Sequence, residues 1–126
     1  LYAIGIVIDE MLPAPAQGAV GVEVRSDDEA TRALVAAIDH RDTHVCVSAE
    51  RHLLAALGGT CHSPIAALAT LRAGSIQLRA EILTADGSEV QAAETIFAAD
   101  DAGAPAQLGR ALLAQASPAL RALFAD

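Results

Sequence analysis

The segment Ser75–Leu83 constrains the fold of this 126-residue chain more than any other. Its apolar residues occupy every second position, Ile76, Leu78, Ala80 and Ile82. This alternation is typical of a strand that buries one face and exposes the other. The pair Asp86-Gly87 follows the strand and is a dipeptide favoured in the turns of antiparallel hairpins. The sequence therefore predicts an antiparallel sheet built around Ser75–Leu83.

Two further apolar segments flank this central strand. Ile65–Leu71 precedes it across the turn Ala73-Gly74, and Ser88–Phe97 follows it after Asp86-Gly87. Short strands joined by turn residues are expected to pair in sequence order. We therefore predict a three-stranded antiparallel meander.

Helical patterns precede the meander. Ser26 and Glu29 have the spacing of a capping box, which predicts a helix from Ser26 to about Asp39. This helix is expected to bury Leu34, Val35 and Ile38. After a break at Arg41-Asp42-Thr43, the spacing of a second apolar face predicts a helix over His44–Leu57. That face consists of Cys46, Ala49, Leu53 and Leu57.

Helical patterns also follow the meander. After a linker at Asp100–Ala104, a helix is predicted over about Ala106–Gln115, and Pro118 begins a short helical stretch ending at Leu123. The inward side chains of the longer helix are Leu108, Leu112 and Leu113. The predicted class is α+β, a three-stranded antiparallel sheet covered on one face by about three helices.

The first 25 residues do not fit this unit. Leu1–Ile8 and Ala19–Val24 are predicted strands, joined by the connector Asp9–Gly18, whose prolines keep it extended. A chain that begins in mid-strand leads us to expect residues upstream of Leu1. The two orphan strands look like pieces of neighbouring domains, and unpaired apolar strands promote self-association.

The charge balance restricts the partners of the chain. The net charge is −8, the eight basic residues are all arginine, and only three residues are aromatic. Nucleic acid is therefore not expected as a partner, and a Schiff-base lysine is excluded within the chain. The apolar runs are too short to span a membrane. Two cysteines make no disulfide framework, so a cytoplasmic setting is expected.

Cys61 is the main candidate for chemistry. It lies in the loop Thr60–Pro64, after the pair Gly58-Gly59 that ends the second helix. A thiol on such a loop is reachable, and positive charge from Arg51 or His62 would favour its reactive thiolate form. The spacing alone leaves an inert loop cysteine equally open.

Two sequence blocks together indicate a family. Ala49-Glu50-Arg51, followed by Gly59 and Thr60-Cys61-His62-Ser63-Pro64-Ile65, resembles the signature of the hydroxymethylbilane synthases, also called porphobilinogen deaminases. The segment Leu12–Arg25 resembles a second block of that family, Leu-Pro…Gln-Gly-Ala-aliphatic-Gly-aliphatic-Glu. Both blocks occur in the family's order and cover most of the chain.

The resemblance implies a three-domain enzyme of which this chain is the C-terminal part. Residues 1–25 would end domain two, cross between domains and add a strand to domain one, and residues 26–126 would form the cofactor-bearing domain. Cys61 would hold a dipyrromethane cofactor by a thioether, and four porphobilinogen units would be added to this primer to give hydroxymethylbilane. The family's catalytic aspartate belongs to its first domain, so no catalytic residue is assigned in this chain.

The resemblance further implies that Arg51, Gln17 and Arg25 lie near the cofactor or the active cleft. Ordinary surface polarity explains the same three residues, and exposed arginine–carboxylate pairs are common and weak. Porphobilinogen and the growing pyrrole chain would be the partners of the full enzyme, which we expect to be a monomer. The isolated chain is expected to be inactive and to self-associate through its orphan strands.

Two other functions remain open on the sequence alone. The chain would also suit a non-catalytic interaction module, dimeric through its orphan strands, or a redox sensor that uses Cys61 and His62. Cys46 is interpreted as a core residue. A metal site is not predicted, because the candidate ligands His40, His44 and His52 have no consistent carboxylate partner.

Overall fold

The computed structural model describes residues 2–124 and confirms the α+β class. Its elements are α1 (Glu29–Ala36), α2 (Arg41–Ala56), β1 (Ile65–Arg72), β2 (Ser75–Leu83), β3 (Val90–Ala98), α3 (Ala104–Gln115), α4 (Pro118–Arg121) and a 3₁₀ turn (Ala122–Phe124). The strands form one antiparallel sheet in the order β1-β2-β3. The predicted meander is thus confirmed, and the central strand has the predicted bounds.

The two hairpins of the sheet close in different ways. β1 and β2 pair from Ile65↔Ile82 to Arg72↔Ser75, and the two residues between them, Ala73 and Gly74, both have positive φ. The connection from β2 to β3 contains the predicted turn residues Asp86 and Gly87 at its centre. The Thr84 amide donates to the Glu89 carbonyl, so residues 85–88 form the loop.

Side chains stabilise this loop through hydrogen bonds to one carboxylate. Asp86 Oδ1 accepts hydrogen bonds from the Thr84 hydroxyl (2.7 Å), the Ser88 hydroxyl (2.8 Å) and the Ser88 amide (3.1 Å). These bonds to the ionised carboxylate lower the pKa of Asp86 from 3.8 to about 2. The loop is therefore organised around a charged acceptor.

This carboxylate predicts an acid-sensitive component of stability. Because the pKa of Asp86 is lower in the folded chain, its stabilising effect is complete above about pH 4 and is lost as the pH falls towards 2. We expect Asp86→Asn to flatten the stability profile between those values. Urea unfolding followed by circular dichroism across this range measures the effect, with Asp27→Asn as the exposed control. An unchanged profile in Asp86→Asn would refute the assignment.

The core lies between one face of the sheet and helices α2, α3 and α4. β2 contributes its alternate apolar residues, which are all buried, and α2 contributes the predicted face. Leu112 on α3 and Leu120 on α4 complete this layer. Cys46, on the same face of α2, is half-buried and packs against the core. The predicted cover of about three helices on one face is thus found.

Helix α1 departs from the prediction. It begins at Glu29 with Asp28 as its N-cap, whose carboxylate accepts from the Thr31 amide at 2.9 Å, and Ser26 is not the cap. The hydrogen bonds from Thr31 also lower the pKa of Asp28. None of its residues is buried, and Leu34 is 76% exposed. Ile38, 73% exposed, lies beyond the end of the helix.

The two predicted N-terminal strands are also absent as strands. Residues 2–8 and 19–24 form no regular strand, and Leu1 lies outside the described residues. Tyr2, Ile4 and Val20 are almost fully exposed. A strand needs a neighbour to accept and donate its backbone hydrogen bonds, and no strand of residues 2–124 pairs with these segments. Their apolar sequence alone does not make them strands.

Candidate functional site

Cys61 lies on the loop that leads from the end of α2 into β1. The helix ends in a Schellman motif, in which the Gly58 amide donates to the Ala55 carbonyl and the Gly59 amide donates to the Leu54 carbonyl. Gly58 has a φ of +66°, a left-handed conformation that favours glycine. The backbone direction after α2 is thereby fixed by the sequence Gly58-Gly59.

Gly59 lies in a closely packed position. A Cβ at this position would come within 2.6 Å of Leu54 Cδ1 and closer still to Ile65 Cδ1. Ile65 is the first residue of β1 and is buried. The absence of a side chain at Gly59 therefore allows the loop to pack directly on the junction of helix and sheet.

The next residues form a hydrogen-bonded turn with Cys61 at its second position. The Ser63 amide donates to the Thr60 carbonyl at 3.1 Å, and the Thr60 amide donates to Ser63 Oγ at 2.9 Å. The His62 amide donates to Thr60 Oγ1 at 3.2 Å. These hydrogen bonds hold the backbone on both sides of Cys61, and Cys61 is free and exposed.

The second thiol has different surroundings. Cys46 is half-buried on α2, and burial, followed by the nearby negative charges of Glu50 and Asp42, raises its pKa, while a backbone interaction with Leu71 opposes that rise. A raised pKa decreases the fraction of reactive thiolate. The fold therefore exposes Cys61, whereas it half-buries Cys46.

We predict that a thiol reagent separates the two cysteines. Iodoacetamide at pH 7.5 should alkylate Cys61 at least about tenfold faster than Cys46, because one thiol is exposed and the other is shielded with a raised pKa. Peptide mass spectrometry over a time course measures both rates. The urea-unfolded chain, in which the difference should disappear, is the control. Equal rates in the folded chain would contradict this description.

The other predicted site residues are not brought to Cys61. Arg51 is exposed on α2, and Arg25 is exposed and pairs with Asp27 at 3.4 Å. Gln17 is exposed on the connector, where it lines a cavity of about 350 Å³ beside α2. No hydrogen bond or ion pair within residues 2–124 links any of the three to Cys61. Their assignment to the site remains a prediction.

The cavity beside Gln17 lies near the opposite ends of α2 and β1 from Cys61. The residues of α2 and β1 in its wall are Asp42, Thr43, Cys46, Val47, Glu50, Ala69 and Leu71. A helix advances about 1.5 Å per residue, so the end of α2 that leads to the Cys61 loop is roughly 20 Å from Asp42 and about 10 Å from Glu50. Cys61 is not among the residues that line this cavity.

Glu50 is the functional candidate that our sequence reasoning missed, although it is part of the quoted motif. It is only 5% exposed, and its carboxylate accepts hydrogen bonds from the Ala69 amide (2.8 Å) and the Ala16 amide (2.7 Å). The signal was present in the sequence. Glu50 falls four residues after Cys46 and three before Leu53, on the buried face of α2.

Two of the histidines have hydrogen-bonding partners for their rings. His40 is the N-cap of α2 through Nδ1, and His44 Nδ1 lies 3.0 Å from Asp39 Oδ1. His44 and His52 line a second cavity of about 140 Å³. Among residues 2–124, no three His, Cys, Asp or Glu side chains are grouped to hold a metal ion. In the same part of the chain, no helix is long and apolar enough to cross a membrane.

The fold and the loop define a class, an α+β domain that presents an accessible thiol between a helix and the first strand of an antiparallel sheet. Comparison with known families makes this specific. Residues 44–116 match the family model for the C-terminal domain of porphobilinogen deaminase, and the chain belongs to this family. The matched region includes most of α2, the Cys61 loop, the whole sheet and α3.

Similar curated proteins bear the same name. A porphobilinogen deaminase of Sphingopyxis alaskensis is 54% identical over 91% of the chain, and that of Paracoccus denitrificans is 55% identical over 76%. The porphobilinogen deaminase of Chromobacterium violaceum is 42% identical over 93% of the chain. The matches cover 36%, 31% and 38% of these relatives, so the chain spans about a third of their length.

Proposed function

We propose that the chain is the cofactor-bearing part of a hydroxymethylbilane synthase, a transferase of tetrapyrrole and haem biosynthesis that acts in the cytoplasm. The whole enzyme would join four porphobilinogen molecules into hydroxymethylbilane on a dipyrromethane primer. The observation that carries the proposal is the exposed thiol of Cys61 on a hydrogen-bonded turn, in a chain of the porphobilinogen deaminase family.

The surroundings of Cys61 fit a covalently held group. The thiol is exposed, so a substituent on sulfur would project outwards without displacing core atoms. The turn of Thr60–Ser63 and the packed Gly59 fix the backbone from which it projects. When bound, dipyrromethane would supply the pyrrole to which porphobilinogen units are added.

The attachment itself is simple sulfur chemistry. The Cys61 sulfur would bond to the methylene carbon of a pyrrole that has lost ammonia, and the thiol proton would be released. Thiolate is the nucleophilic form, and the product is a thioether, which resists hydrolysis. Such a bond suits a primer that stays on the protein while the product is released by hydrolysis.

The remaining residues of this chain would bind and orient rather than catalyse. Arg51, Arg25 and Gln17 are proposed to face the carboxylate-bearing pyrroles once the other domains are in place. Arginine suits such ligands because its guanidinium donates paired hydrogen bonds to a carboxylate. No catalytic residue is assigned to the chain, so the isolated chain should be inactive, and the whole enzyme should be a monomer.

Mass spectrometry of the whole enzyme, produced in cells that make porphobilinogen, tests this proposal. We expect an intact mass that exceeds the sequence mass by one dipyrromethane, and a digest that locates the addition on the peptide containing Cys61. Hydroxymethylbilane formation from porphobilinogen is measured in the same preparation. An active enzyme with an unmodified Cys61 peptide would overturn the proposed role.

A further inference from the structure

We infer that Glu50 is a positioning residue, whose buried carboxylate fixes the connector, residues 12–18, against the free edge of β1 and thereby places Gln17 on the cavity. The inference rests on the proposed function only where it gives Gln17 a role in binding pyrroles. We call the two hydrogen bonds that the Glu50 carboxylate accepts from Ala16 and Ala69 the clamp. The clamp lies within this domain and can be tested without the other domains.

The carboxylate joins two segments that are distant in sequence. Ala69 is 19 residues and Ala16 is 34 residues from Glu50, and each donates its backbone amide to a different carboxylate oxygen. Both bonds, at 2.8 and 2.7 Å, are short, as expected when the acceptor is charged. Glu50 thus connects helix, sheet and connector at one point.

The clamp also completes the edge of the sheet. β1 is an edge strand, and outward-facing amides of an edge strand need acceptors. The Ala67 amide donates to the Pro13 carbonyl at 2.9 Å, and the Ala69 amide donates to Glu50. The connector and the carboxylate together therefore occupy the positions that a further strand would otherwise take.

The connector adopts a conformation that needs such support. Ala16 has a φ of +59° and Gly18 a φ of +78°, so Gln17 lies between two left-handed residues. This conformation is unfavourable for Ala16, which carries a Cβ. The bond from its amide to Glu50 stabilises the strained residue directly, and this contact sets where Gln17 lies on the cavity wall.

The two amide donors around Glu50 favour a carboxylate at this position. A buried charge is costly unless hydrogen bonds replace its water, and the two amides provide them. None of the ion pairs within residues 2–124 includes Glu50. Glutamine would retain the size but only one acceptor oxygen, so its NH₂ group would face one of the two amide donors. Glu50→Gln therefore weakens the clamp while leaving the packing of α2 intact.

Amide hydrogen exchange by NMR on the 126-residue chain tests the inference. In Glu50→Gln, we expect exchange to accelerate at both Ala16 and Ala69, because one amide loses its acceptor and the other keeps only a neutral one. The amide that faces the NH₂ group should accelerate roughly ten- to a hundredfold, the range for loss of a hydrogen bond to a charged group. The Ala16 amide proton should also shift upfield, because a neutral acceptor deshields it less. Exchange at Leu78 and Ala80, in the central strand, is the internal reference.

Glu89→Gln is the matched control. Glu89 is also a partly buried carboxylate with two donors, the Ser117 amide (3.1 Å) and hydroxyl (2.6 Å), but it lies at the other hairpin. Exchange at Ala16 should be unchanged there. Glu50→Asp, which is one methylene shorter and retains the charge, serves if Glu50→Gln does not fold, and it should also accelerate exchange at Ala16.

Three results would overturn the inference. They are unchanged exchange at Ala16 in the folded Glu50 variant, an equal acceleration in Glu89→Gln, and an acceleration at Ala16 no larger than that at Leu78. An unmodified Cys61 in the whole enzyme would refute the proposed function but would leave these exchange rates unaffected. The two ideas can therefore fail separately.

Discussion

Leu53→Ala should lower the free energy of unfolding by about 2–5 kcal/mol, the range for truncating a fully buried leucine. Leu53 is 0% exposed in the last turn of α2, where it packs in the core with residues of the sheet and α3. The helices approach closely beside it, because a Cβ on Gly109 of α3 would lie 3.3 Å from the Cβ of Ala56, in the same turn of α2. Helices that are already packed so closely cannot collapse readily into the cavity left by the mutation.

Urea unfolding followed by far-ultraviolet circular dichroism measures this loss. Leu34→Ala on the exposed α1 removes the same atoms without creating a cavity, and it should change stability by no more than about 0.5 kcal/mol. Similar losses in the two variants would contradict the assignment of the core to α2, α3 and the sheet. A gain in Leu53→Ala would do so as well.

The sheet could be predicted from the sequence because its signals are local. The alternation over Ser75–Leu83 fixes which residues face the core, and β2 has those bounds and that face. The turn at Asp86-Gly87 was predicted as well, but the three hydrogen bonds that the Asp86 carboxylate accepts within it were not.

Predictions failed where an apolar pattern has no partner in the described structure. Leu34 and Ile38 have the spacing of a buried helix face, but nothing packs over them and they are exposed. The apolar segments of residues 2–8 and 19–24 are likewise not strands. An apolar face is buried only when another part of the structure packs against it, and the periodicity of a segment describes only the segment's own face.

The candidate site likewise has a part that local sequence predicts and a part that depends on distant residues. Gly58-Gly59 and the Thr60–Ser63 turn are local, so the exposed loop that bears Cys61 could be predicted. The position of Glu50 on the buried face of α2 was visible in the sequence, but its partner could not be predicted, because its donor on the connector is 34 residues away. A glutamate on a helix is ordinarily exposed, and only the fold shows which amides it accepts from.

Cys61→Ser in the whole enzyme should abolish both the dipyrromethane adduct and the formation of hydroxymethylbilane. A serine hydroxyl is a much weaker nucleophile than a thiolate, so no stable bond to the primer should form. The site is exposed and the substitution replaces sulfur by oxygen, so stability should change by no more than about 0.5 kcal/mol. The loss of activity would then reflect chemistry rather than unfolding.

Cys46→Ser is the matched control, since it removes the other cysteine of the chain. It should retain the adduct and a measurable rate of product formation, because Cys46 is half-buried and its pKa is raised. Intact mass, product absorbance after oxidation to porphyrin, and urea unfolding are measured on both variants. An adduct that persists in Cys61→Ser and disappears in Cys46→Ser would show that Cys46 holds the primer. The exposed turn that bears Cys61 would then have no role in holding it.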